Sequence, residues 1–95
     1  MFYRDLDAHL LAPKRFVTLA HLNQVVSADY PTLTEVTGLT TADLSKIIRD
    51  LEERGIVEVS KERRNRYGHT LVRLSDEGRK RFLKLLAMVT KAAEG

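Results

Sequence analysis

The chain has 95 residues, a formal net charge of +3 and 43% hydrophobic residues, enough for one compact domain over residues 1–95 with a single buried core. It has no cysteine, which excludes disulfides, thiolate metal sites and cysteine nucleophiles. No apolar run approaches the roughly 18 residues of a membrane span, and the opening Met1 to Asp7 lacks the apolar core of a secretory leader, so no membrane partner and a cytoplasmic location are expected.

In chain order, Leu6, Leu10 and Leu11 form an apolar cluster. Pro13 then suits a first helical turn, and Phe16, Leu19, Ala20 and Val26 give one apolar face, before Ser27-Ala28-Asp29-Tyr30-Pro31, which reads as a loop. Thr32-Leu33-Thr34-Glu35 has the spacing of a capping box. Leu33 and Val36 continue it as a short apolar stripe, and Gly38 closes the segment.

A second helix is expected from about Thr41. The Thr40 hydroxyl can accept from a free amide of the first turn, while Asp43, three residues on, can return the bond and favours the helix dipole. Leu44, Ile48 and Leu51 recur on one face, and Gly55 supplies a left-handed stop. The opposite face carries Thr41, Ala42, Ser45, Lys46 and Arg49, which are short enough to approach a groove or cationic enough to meet phosphates. Ile47 lies at the margin, where it either touches a thymine methyl or widens the core stripe; the core assignment is preferred.

Val57 to Lys61 and Thr70 to Leu74 read as paired strands. Between them Glu62-Arg63-Arg64-Asn65-Arg66-Tyr67-Gly68-His69 reads as a turn crowded with cations. Arg63, Arg64 and Arg66 repel one another there and call for a counter-charge, such as duplex phosphates or a narrow minor groove. From Ser75 a long helix is expected through Ala93, with Phe82, Leu85, Leu86 and Val89 as its stripe. Residues 1–60 hold six Lys/Arg against nine Asp/Glu and residues 61–95 hold ten against four, an imbalance that suggests a polyanionic partner on one side. Arg79, Lys80, Arg81 and Lys84 in the last helix are read as its solvated outer face.

Leu39-Thr40 followed by Leu44-Ser45-Lys46, then Leu51-Glu52-Glu53-x-Gly55-x-Val57, a basic hairpin tip and Leu74-Ser75-x-x-Gly78 together resemble the small stand-alone winged helix-turn-helix transcriptional regulators of the MarR and ArsR type. Leu6-Asp7 and Pro13-x-Arg15-Phe16 look like the first helix of that family. The resemblance covers nearly the whole chain. It implies a mainly helical α+β fold, with a three-helix core, a β-hairpin wing and a long C-terminal helix. It also implies that Thr41, Ser45, Lys46 and Arg49 enter the major groove, with Arg64 or Arg66 in the wing contact. Asp43 departs from the Asn expected at that position, because a carboxylate in the groove repels phosphate; it is read as a helix cap.

The expected partner is therefore double-stranded DNA, bound by a regulator that represses. A homodimer is expected through residues 75–93 with Phe82, Leu85, Leu86 and Val89, together with Leu6, Leu10 and Leu11. No nucleophile elbow, phosphate-binding glycine loop or metal-binding His pair frames the serines, histidines and acids, so no catalytic residue, cofactor or metal is expected. His9 and His21 lack a compact ligand spacing. Any small-molecule effector is left open. Two rival functions use the same fold: a protein-interaction module, which would depend on apolar anchors such as Tyr67 or Ile47, and a sequence-indifferent DNA-coating protein.

Overall fold

The structure, a computed structural model, describes residues 2–64 and 67–95. A 3-10 turn at Phe2–Asp5 leads into α1 (Ala8–Leu11), α2 (Pro13–Leu22), β1 (Ala28–Asp29), α3 (Tyr30–Thr37), α4 (Thr41–Glu53), β2 (Val57–Arg64), β3 (Tyr67–Leu74) and α5 (Asp76–Glu94). The strands form one antiparallel sheet in the order β1-β3-β2. The helical core with its hairpin matches the expected α+β winged architecture.

Pro13 opens α2, where its missing amide costs nothing. The helix stops at Leu22, so Val26 lies beyond it, 85% exposed, and does not belong to the apolar face assigned to it. The expected loop at 27–31 also holds a strand: Ala28 pairs with Val72 and Asp29 with Leu71. That pairing fixes Asp29 as the cap of α3. Its carboxylate accepts from the Thr32 amide at 2.9 Å, and Pro31 follows in the first turn. Thr32 is therefore inside the helix, and the capping box read at 32–35 is displaced by a cap three residues earlier.

α4 follows its sequence closely. Thr40 Oγ1 accepts from the Asp43 amide at 3.0 Å. Leu44, Ile47, Ile48 and Leu51 are buried, and Gly55 takes φ 73° after the last turn. Ile47 thus joins the core, as preferred. Gly38, with φ 74°, makes the corresponding stop between α3 and α4.

The hairpin is longer than expected. Pairing runs from Val57↔Leu74 to Arg64↔Tyr67, so Glu62 and His69 face each other across the ladder instead of lying in an open tip. The face with Val57, Val59, Val72 and Leu74 packs inward; Glu58 and Arg73 form an ion pair at 3.1 Å on the other. The core also takes Leu10, Leu19, Leu22, Leu33, Ile56, Phe82 and Leu85, and the Phe16 and Phe82 rings meet at 5.5 Å.

Polar contacts tie the N-terminal segment to two helices. Arg81 donates from Nη2 to Asp7 at 2.6 Å, and His9 Nε2 lies 2.6 Å from Asp50, which also accepts from Arg54 at 3.1 Å. Burial alone would raise the Asp7 carboxyl, but the Arg81 hydrogen bond and charge with the Leu10 amide hold it below its usual range. At Asp50 burial also pushes upward and is outweighed by Arg54 and His9, again giving a lowered value. Carboxyls with depressed folded pKa bind more protons when unfolded, so their contribution is present above the unfolded value and lost as pH falls through the folded one. Urea melts should therefore show stability declining below about pH 4. Asp7→Asn should flatten part of that decline while costing about 1 kcal/mol at neutral pH.

Candidate nucleic-acid interface

The fold gives α4 two unlike sides. Its buried side is fully occupied by the core, whereas Thr41, Ala42, Lys46 and Arg49 are exposed and Ser45 is half-buried. Four residues assigned to the groove from sequence, Thr41, Ser45, Lys46 and Arg49, are therefore brought together on one outward strip. α3 leads into that helix through the tight turn at Gly38 and packs against it. This is the geometry in which one helix braces another against a duplex.

Beside the strip lies an open groove of about 310 Å³. Tyr30, Ser45, Ile48, Arg49 and Glu52 line its helical side, and Val59, Lys61 and Thr70 its sheet side. Burial raises the Tyr30 phenol, with the Ser45 hydroxyl pulling it the other way, so it remains a neutral donor and acceptor at physiological pH. Lys61 is a cation that sequence reading passed over. In sequence it is one more strand residue; only the β2–β3 register sets it opposite Thr70 on the side facing α4.

The hairpin extends beyond this groove. The backbones of Arg63 and Arg64 pair with Gly68 and Tyr67 at its far end. The wing assignment of Arg66 falls outside the described residues, as do the side-chain positions of Arg63, Arg64 and Tyr67.

Asp43 behaves differently from a complete capping box. Its amide serves the cap, but its carboxylate accepts from Lys14 Nζ at 3.0 Å. Two basic residues of the last helix also turn inward. Arg79 donates to the Asn23 carbonyl at 3.0 Å and its side-chain oxygen at 2.8 Å, and Arg81 holds Asp7. They act as structural ties, whereas Lys80 and Lys84 are exposed.

The stripe expected to meet a second subunit divides. Leu10, Phe82 and Leu85 are at most 1% exposed within the domain, so they have no surface to offer. The three are corrected to core residues because α1 packs on α2 and α5, and α5 packs on β3. Leu6, Leu11 and Val89 are half-buried against that core; Leu86 is 37% exposed and its neighbour Leu83 46%.

Among the described residues no group of three or more His, Cys, Asp and Glu is disposed to hold a metal ion, and no helix is long and apolar enough to cross a membrane. His9 is engaged with Asp50 inside the domain.

Comparison with known proteins agrees with this architecture. The family model described as "Winged helix DNA-binding domain" matches residues 14–92. A transcriptional regulator homologue from Pyrococcus horikoshii OT3 is similar at 29% identity and a TM-score of 0.77, over 94% of this chain and 91% of that one. A MarR-family transcriptional regulator from Enterococcus faecalis V583 shares the fold at 17% identity and a TM-score of 0.76, over 92% of this chain and 77% of that one. The transcriptional repressor CouR, solved bound to a 23-mer DNA duplex, gives 20% identity and a TM-score of 0.75, over 93% of this chain and 66% of its own length. No curated protein matches the sequence. With α3 and α4 as its helix-turn-helix and β2–β3 as its wing, the chain belongs to the winged helix DNA-binding domain family.

Proposed function

We propose that this protein is a sequence-specific, double-stranded DNA-binding transcriptional regulator that acts in the cytoplasm as a homodimeric repressor. The observation that carries this reading is the outward strip of α4, where Thr41, Lys46 and Arg49 are exposed and Ser45 half-buried beside a groove that Lys61 lines. Ser45, Lys46 and Arg49 supply base or nearby phosphate contacts, and Thr41 fixes the helix start on the backbone. Arg63, Arg64 and Arg66 hold the register from the wing. CouR, a repressor of similar fold seen on a duplex, supports the same use of the fold here. Dimerisation draws on the exposed Leu83 and Leu86 of α5, with Leu6, Leu11 and Val89 at the margin. A DNA-bound dimer acts most simply by occluding a promoter, which favours repression.

Selection from a random duplex library at near-physiological salt tests this, with an Arg64→Ala/Arg66→Ala variant run in parallel. The expected result is a palindromic motif with half-sites ~10 or ~20 base pairs apart, enriched by the parent and lost with the variant. Retention without a motif would mean sequence-indifferent coating, and no retention would favour a protein-interaction module.

A further inference from the structure

From Thr41 to Arg49, Asp43 is the only acidic residue. It sits in the first turn, between the exposed Ala42 and the buried Leu44, at the end of the helix that leads into the groove in the proposed reading. Its charge suits the helix dipole but opposes a duplex backbone. At 0.1 M salt the screening length is about 10 Å, so an unpaired carboxylate in that turn would be felt by every phosphate in contact with it.

The carboxylate is not unpaired. Lys14 reaches it from α2, 29 positions away in sequence, with Nζ at 3.0 Å from Oδ2. Lys14 is held at its backbone, where its carbonyl accepts from the hydroxyl of the fully buried Thr18 at 2.8 Å. The Lys14 side chain is 61% exposed and that of Asp43 36%, so the pair lies at the surface and adds little to folding.

We infer that Lys14 is a positioning residue for DNA binding: it draws the Asp43 carboxylate aside and cancels its charge, which lets the duplex backbone close on the N-terminal end of α4. The inference rests on α4 being the groove-entering helix.

The test measures binding of the full chain to a mixed-sequence duplex of three turns, ~30 base pairs, for the parent, Lys14→Ala, Asp43→Asn, the double variant and Lys46→Ala/Arg49→Ala. Lys14→Ala should weaken binding about five- to tenfold, with the deficit shrinking as salt is raised. Asp43→Asn added to Lys14→Ala should return affinity to within about twofold of the parent, because the uncancelled charge is gone while the total charge matches the parent. If the double variant stays as weak as Lys14→Ala, Lys14 meets the phosphates itself or only supports the fold, and the inference is overturned. If Lys14→Ala binds normally while Lys46→Ala/Arg49→Ala is weak, the inference fails and the groove assignment of α4 stands. If all variants bind like the parent, that assignment falls and the inference with it.

Discussion

Gly78→Ala is expected to destabilise the domain by about 3 kcal/mol, lowering its melting temperature by some 10–20 °C. Helix propensity alone argues the reverse, since alanine in a helix is worth up to about 1 kcal/mol more than glycine. The packing decides the sign. Gly78 is buried in the first turn of α5, and a methyl group there would lie 2.0 Å from the Ile56 carbonyl oxygen and 2.8 Å from its carbon. That carbonyl has no freedom to withdraw: it accepts from the Ser75 amide at 3.0 Å and from Ser75 Oγ at 3.0 Å, and the Ile56 side chain is fully buried. Ser75 Oγ in turn caps α5 by accepting from the Gly78 amide at 2.9 Å. One close approach thus joins the end of the helix-turn-helix to the start of the wing and to the last helix. Thermal and urea melts of the variant check it. A variant as stable as the parent would mean that α5 does not pack on Ile56 in this way.

Lys46→Ala/Arg49→Ala is expected to reduce duplex affinity about 100-fold at moderate salt and to lower the salt slope by up to about two units. Both side chains are exposed, so the melting behaviour should stay within about 0.5 kcal/mol of the parent. Arg49→Ala alone should also relax preference at one position of a selected site, by about 1–3 kcal/mol, if its guanidinium reads a base edge. Titrations at several salt concentrations, on the selected site and on a scrambled duplex, separate the two contributions. A double variant with unchanged slope and affinity would remove α4 from the interface.

The local signals that proved legible were those set within a few residues. Thr40, the spacing of Leu44, Ile48 and Leu51, and Gly55 defined α4 because a cap, a 3.6-residue period and a left-handed stop are all properties of one short segment. The signals that misled were equally local but met a competitor elsewhere. The Thr32 capping box gave way to Asp29 because β1 pairs with β3, and that pairing delivers the Asp29 carboxylate to the Thr32 amide. The wing strands ran on through charged residues because ladder pairing satisfies backbone groups whatever the side chains carry.

The sequence by itself determined the order of helices and hairpin, the stops at Gly38 and Gly55, and the polar strip of α4, since each follows from propensity, period and chirality along the chain. Tertiary structure alone decided which apolar residues of α5 remain outside, that Lys61 turns toward α4, that Lys14 meets Asp43 and that Gly78 tolerates no methyl group. Those outcomes depend on residues far apart in sequence arriving within a few ångströms, and periodicity within one segment carries no information about which distant surface it will bury against.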